Sequence, residues 1–500
     1  MNHKTLSDAL AHISDRHIAE AANPRRRFPW VAAVAAALAV AVLLGAPLRP
    51  GTQPEPILQN PTSPTLTLTT QPPEPHTQWQ PVQPAELLSS RYALVTAEYP
   101  RISAHPSEES DQEAYTQWKN DQKALHDQPK GYADNLQACW KQLLPGLLDT
   151  KPGKNTACSP LNVYIALAML AECTDGQSRQ QLLHLMNADS LEALRTQANR
   201  VWRAHYNDDA VTKSVLGSSL WLEKDYGFDP DTVDLLAENY YASVFQGDLG
   251  SAEMNKALHS WLNEQTEGLL SETVKNVFLD PGTVLSLATT VNYQVQWQNE
   301  FYKENNVTGI FHGTMGDSAQ TFMRTTLLYG PYYWSEHFSA TSLPLEDGSR
   351  MWLILPDAGV APESIVKEVT EFLSQVPGNY ENMKRIRVNL SLPKFDVSAD
   401  MELADKLKAM GITDIFDPNT ADFSPILPEN DGGAVNEIKH AARVLIDEKG
   451  VTAAAFTLIM RYGAAEPPEN EVDFTLDRPF LFCVQSADYL PLFAGIVNEP

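Results

Sequence analysis

Three kinds of hydrophobic pattern follow one another along the chain. Phe28 to Leu48 is a 21-residue run without a charge, rich in alanine, valine and leucine, preceded by Arg25, Arg26 and Arg27 and closed by Arg49. As a helix this run matches about 30 Å of hydrocarbon, and the arginines on its N-terminal side place residues 1–27 in the cytoplasm and the bulk of the chain outside. A cleaved signal peptide is the competing reading, favoured by Leu44-Gly45-Ala46 and opposed by Pro47 and by the length of the polar segment ahead of it. In that segment Leu6, Ala9, Leu10 and Ile13 stand at helical spacing, as in a short amphipathic helix. From Arg49 to Pro84 the periodicity vanishes into proline, threonine and glutamine; such a linker of 36 residues reaches at most about 110 Å if polyproline-like. Residues 130–500 read as one large domain, and residues 85–129 as an extension packed on it or as more stalk.

The third pattern lies near the C-terminus. Ile438, His440, Ala442, Val444 and Ile446 share one face of an extended segment, opposite Lys439, Arg443 and Asp447. This predicts a half-buried strand. After Gly450, a residue tolerant of unusual backbone angles, both alternating sets of Val451 to Met460 are uncharged, the pattern of a strand covered on both faces. Ten residues are too few to cross a bilayer. Gly463, Glu466, Pro467, Pro468, Glu469 and Asn470 then form a loop. On spacing alone, an ordinary hairpin arm with a long loop or a short alanine-rich core helix fits as well.

Composition narrows the function. A net charge of -26 argues against nucleic acid and favours a basic partner, if any. Cys139, Cys158, Cys173 and Cys483 allow three complete pairings, but all sit in apolar contexts that suit buried free thiols. There is no Cys-x-x-Cys or His-Glu-x-x-His metal spacing and no Gly-x-Ser-x-Gly elbow, so neither metal, cofactor nor hydrolase chemistry is indicated.

From Asn155 onward a collinear series of motifs resembles the serpins. Asn155, Cys158, Ser159, Pro160 and Asn162, followed by Ala166 to Leu170, resemble the segment leading into the family's second helix. Trp261 to Gly268, Thr290 to Tyr293 with Trp297, Leu392-Pro393-Lys394-Phe395, Gly411 to Phe416, and Asp422 to Ser424 come next in order. Asp477-Arg478-Pro479-Phe480 and the ending Phe493 to Pro500 complete the series. The resemblance implies an α+β fold with a large central, mostly antiparallel sheet, two further sheets, about eight or nine helices and an exposed reactive loop. It also implies a mechanism. A target protease cuts the loop, and the loop inserts into the central sheet as a new strand while the protease stays attached as an acyl ester. Such a protein is a monomeric inhibitor and not an enzyme, because the nucleophile belongs to the protease.

The same resemblance assigns residues. Glu448, Gly450, Val451, Thr452, Ala453, Ala454, Ala455 and Thr457 correspond to the loop's hinge, with Val451 where threonine or serine is usual and Phe456 larger than most. None carries a charge beyond Glu448, so insertion of about 14 residues, roughly 46 Å of strand, is expected to proceed, more slowly than usual. Counting from either side puts the scissile bond at Ala464-Ala465 or one residue later. Alanine there suits an elastase-like serine protease with a shallow apolar pocket; Arg461, three residues upstream, is the trypsin-like alternative. Ser159, Asn292 and His440 correspond to a hydrogen-bonded cluster in mid-sheet, the shutter, where Asn162 replaces the usual serine. Lys394 and Glu448 correspond to a pair at the top of the sheet, the breach; without family context this would be an exposed ion pair worth under about 1 kcal/mol. The arginine-flanked span suggests an inhibitor anchored on a bacterial cell surface. A non-inhibitory serpin serving as a binding or chaperone-like module is the second reading.

Overall fold

Two β-sheets and the helices between and around them organise residues 88–106, 111–375, 380–429, 434–435, 438–451 and 470–500, the residues described in the computed structural model. All of these fall in a compact unit spanning Glu86–Pro500. The span Phe28 to Leu48, the linker, and the loop residues Thr452, Ala453, Ala454, Ala455, Thr457, Arg461, Ala464 and Ala465 lie outside the described residues.

Strands are numbered in chain order. The central sheet has eight, in the order β1 (Ala93–Val95), β5 (Ala242–Gly247), β4 (Lys213–Glu223), β6 (Leu285–Gln296), β14 (Gly450–Val451), β13 (Ile438–Ile446) and β12 (Phe395–Glu402), with β3 (Asn207–Asp208) on β4. Most neighbours are antiparallel; β4–β5 and β6–β13 are parallel. The second sheet has nine strands, in the order β15 (Glu471–Thr475), β11 (Met383–Pro393), β8 (Gly316–Trp334), β9 (Phe338–Pro344), β10 (Arg350–Pro356), β16 (Phe480–Gln485), β17 (Pro491–Val497) and β2 (Thr156–Cys158), with β7 (Val307–Gly313) on β8. The two smaller sheets expected from sequence are therefore one hydrogen-bonded ladder. The 19-residue β8 joins them, pairing with β7 and β11 along its length and with β9 at its end.

Nine α-helices are present among the described residues. The helix Pro160–Glu172 has proline in its first turn, and the Ser159 hydroxyl caps it by accepting from Asn162 N at 3.2 Å. Every residue of it is buried, as befits a helix enclosed by the main core rather than laid on it. That core fills the space between the inner faces of the two sheets and takes in Val291, Val295, Val444, Ile446, Phe395 and Phe482. The helix Ala252–Gln265 instead crosses the outer face of the central sheet. Its Met254, Ala257, Leu258, Trp261 and Leu262, at helical spacing, pack with Trp221, Phe245, Ala288 and Ala441 in a second, smaller core. Strands β4 and β6, buried almost throughout, thus have apolar cover on both sides. In β13 the alternation is the one read from sequence: Ile438, His440, Ala442, Val444 and Ile446 are buried, and Lys439 and Arg443 partly exposed.

Among the described residues no helix is long and apolar enough to cross a membrane. All four cysteines are free and buried, and burial pushes each thiol up, Cys158 to about 12, leaving them unreactive.

Candidate functional site

The site is a seam between β6 and β13. At its lower end the two strands pair directly and in parallel, Ile438 with Leu287, Lys439 with Ala288, His440 with Thr289 and Ala441 with Thr290. Higher up they part, and β14 lies between them, antiparallel to both: Gly450 opposite Gln296, and Val451 opposite Val295 on one side and Ile446 on the other. Val451 is 1% exposed and joins the main core. The hinge thus occupies the mouth of the seam as the first two residues of a strand.

The turn that delivers them is held by backbone and side chain together. Asp447 Oδ1 accepts from the N–H groups of Lys449 and Gly450 at 2.8 and 3.2 Å, the local Asx geometry that makes aspartate a turn former. Trp297 clips this turn to the end of β6, its indole N–H donating to Asp447 O at 3.0 Å and its backbone N–H to Lys449 O at 2.9 Å. Gly450 serves a purpose different from the one its sequence context indicates. Its φ is outside the left-handed region; what it provides is clearance, because a Cβ there would collide with the Val295 carbonyl oxygen and come within 2.7 Å of Gln296 Cα. Gly450→Ala is therefore expected to drive the hinge out of the seam and lower stability by about 1–3 kcal/mol, the usual scale of overpacking against unyielding atoms. Urea unfolding of the full chain measures it.

Glu448 and Lys394 meet, Oε1 to Nζ, at 2.6 Å, and the same oxygen accepts from Asn306 Nδ2 at 2.6 Å. The pair is not a surface one on its acidic side: the Glu448 side chain is 6% exposed against 39% for Lys394. Burial alone would raise the Glu448 carboxyl, but the hydrogen bonds from Lys394 and Asn306 hold it below its ordinary value. This contribution to stability is present above the ordinary carboxylate range and is lost as pH falls through the lowered value. Lys394 N also donates to Thr321 O at 3.0 Å, so the pair links the hinge to β8 as well as to the β11–β12 corner.

The mid-sheet cluster forms only in part. Ser159 N donates to His440 Nε2 at 3.0 Å, and His440 Nδ1 lies 3.1 Å from the Thr289 hydroxyl. Since Nε2 accepts, Nδ1 carries the proton, and the ring is a neutral bridge between the core helix, β13 and β6. Burial lowers its basicity to about 4. Asn292 is not a member: strand alternation turns it to the opposite face from Thr289 and His440, where its amide oxygen accepts from Gln294 at 3.0 Å. Asn162 is closer to the cluster, donating to Thr290 O at 2.9 Å. Thr289 escaped the sequence reading, although its place three residues before Asn292, hence on the other face, was a signal for it. Trp297, Asn306 and Asp447 had no such signal beyond Asp447 preceding a turn.

Two sheets with helices around them, and a two-residue strand start held between β6 and β13 above the level where these pair directly, define a mixed α+β protein whose central sheet takes a strand beginning at its middle. The family described as Serpin (serine protease inhibitor) matches residues 137–500, and the chain belongs to it. The leukocyte elastase inhibitor of Homo sapiens is 26% identical over 370 residues, 72% of this chain and 96% of that protein. Serpin B11 of Mus musculus is also 26% identical over 370 residues, 70% of this chain and 94% of that protein. Among solved structures, the thermophilic serpin Tengpin in its native state superposes with a TM-score of 0.66 at 24% identity, covering 81% of this chain and all of that one. Serpin1 of Arabidopsis in its native stressed conformation gives 0.61 at 23% identity, covering 73% and 96%. The bacterial surface suggested by the arginine-flanked span gains no support from the relatives named by organism, which come from Homo sapiens, Mus musculus and Arabidopsis.

Proposed function

We propose that this protein is an irreversible, suicide-type inhibitor of an elastase-like serine protease, cleaved at Ala464-Ala465 and held at a cell surface by Phe28 to Leu48. The observation that carries the reading is the hinge already paired on both sides at the mouth of the seam. Extending its register gives the rest of the strand a defined place. Ala453 would lie opposite Tyr293 and Val444, Ala455 opposite Val291 and Ala442, Thr457 opposite Thr289 and His440, and Ile459 opposite Leu287 and Ile438. Thr452 to Ala455 therefore fill positions where β6 and β13 are not paired, whereas Phe456 to Ile459 must displace the four direct pairs below. Phe456 falls on the side of the helix Ala252–Gln265, beside Thr290 and Ala441, where its bulk slows closure.

The chemistry asked of the chain is small. The protease hydroxyl attacks the Ala464 carbonyl, the Ala465 amine leaves, and insertion carries the acyl-enzyme away from the top of the sheet before water can release it. The net charge of -26 supports a basic target. The Pro/Thr-rich linker supports a stalk that holds the loop clear of the surface.

Incubation of the full chain with an elastase is expected to give a covalent complex that survives SDS and boiling, with a released fragment starting at Ala465 or, one bond later, Glu466. Cleavage without such a complex would sink the inhibitory reading in favour of a binding module. A fragment starting at Tyr462 would replace the elastase-like target by a trypsin-like one acting at Arg461.

A further inference from the structure

Residues 88–106 and 111–126 lie ahead of the family match, which begins at residue 137, yet they are bound to the central sheet and to the helix across it. Strand β1 covers the free edge of β5, Ala93 opposite Phe245 and Val95 opposite Val244, and the Ala97 N–H donates to Ser243 Oγ at 3.0 Å. Leu88, Tyr92 and Ala93 pack into the smaller core with the helix Ala252–Gln265. The chain then places the Tyr99 ring against Trp202 and Tyr206, centroids 5.6 and 5.7 Å away, and the Tyr99 hydroxyl donates to Gln265 Oε1 at 2.9 Å, on the last residue of that helix. Further on, Asp121 ties Ser103 N at 3.1 Å, His105 N donates to Asp209 O at 2.7 Å, and Trp118 Nε1 donates to Asp209 Oδ2 at 3.0 Å, beside the β3–β4 turn.

The helix Ala252–Gln265 bridges the seam, because its apolar face shares one core with Ala288 on β6 and Ala441 on β13. Its end is held from both halves of the sheet. On one side stands Tyr99; on the other, Arg443 of β13 donates to the Leu269 carbonyl at 2.6 Å, three residues beyond the helix cap Thr266, while also pairing with Asp396 of β12. Parting β6 from β13 must stretch one of these attachments or lift the helix.

We propose that residues 88–106 and 111–126 are a clamp that fastens the seam-bridging helix to the β5–β4–β6 half of the sheet and so sets the rate at which the sheet opens to receive the loop. The clamp rests on the insertion reading and adds to it a brake outside the family match: the extension holds the sheet shut in the uncut protein, and weakening it speeds self-insertion.

The test uses full-length wild type, Tyr99→Phe and Tyr99→Ala. Tyr99→Phe keeps the ring packing and removes only the hydroxyl, so folding is preserved, as circular dichroism will verify. Each uncut protein is warmed below its unfolding midpoint, and the fraction that has converted to a more heat-stable form is followed in time. Loss of one such hydrogen bond corresponds to roughly five-fold faster conversion for Tyr99→Phe, with a larger acceleration for Tyr99→Ala. Equal conversion rates, or no conversion by any of the three, overturn the clamp. The failure of wild type to gain heat stability even after its loop is cut would overturn the insertion reading instead.

Discussion

Ala455→Glu is expected to turn the protein from a trap into a substrate. In the register set by Gly450 and Val451, residue 455 lies opposite Val291 and Ala442, which are 5% and 0% exposed in the main core. Among the described residues of the two flanking strands no cation faces that position: the nearest basic side chain on β13, Arg443, points to the other face and is engaged by Asp396. A carboxylate inserted there would be buried and unpaired, at a cost of about 3–5 kcal/mol, which slows insertion by roughly two to four powers of ten relative to release of the acyl-enzyme by water. The cost arises on insertion, so the unfolding midpoint of the uncut variant should match wild type. The measurement is a gel of each protein with an elastase at equal concentrations. Wild type should give the boiling-resistant complex and the variant only the cleaved chain. A complex at wild-type yield from the variant would show that residue 455 does not enter the core.

How much of this was legible in advance depends on what each signal encodes. The strand Ile438–Ile446 could be read because a half-buried strand writes its two faces as alternation, and His440 was conspicuous as the polar member of the apolar face. The hinge was legible as a charge-free run after a turn, but whether it begins inside or outside the sheet depends on where β6 ends, which no local pattern encodes. Gly450 illustrates the limit: the sequence marks a special backbone site, and only the approach of Val295 reveals that space, not an unusual φ, is what it provides. Asn292 was placed with His440 by its motif, yet counting parity along β6 puts it on the other face. The burial of Glu448 was invisible because it depends on Asn306 and Lys394, 142 and 54 residues away in sequence. The merging of two sheets through β8 was hidden for the same reason, since a 19-residue strand leaves no mark of which partners it takes along its length.

The acid stability of the protein should turn on His440. Its neutral ring accepts from Ser159 N and is shielded from water, 1% exposed, so the folded chain resists protonating it until about pH 4, whereas an unfolded histidine takes up its proton near pH 6.5. Between those values the unfolded state binds more protons, so stability is complete above about pH 6.5 and declines as pH falls towards 4, by about 3 kcal/mol in all. Protonation at Nε2 would also set two N–H groups against each other and release the core helix from β13. His205, likewise lowered by burial, adds a decline of the same sign, and His337, raised by its hydrogen bond to Glu368 at an exposed site, a small opposing one. The contribution of His440 is isolated by comparison with His440→Gln. At pH 7.5 that variant should be less stable by about 1–3 kcal/mol, because the Ser159 N–H loses its acceptor. Towards pH 4 the two stabilities should converge, the variant following a shallower slope. Urea unfolding at half-unit steps of pH supplies both curves. Parallel curves would mean that the ring titrates alike in the folded and unfolded chain, and that the bridge across the lower seam is indifferent to acid.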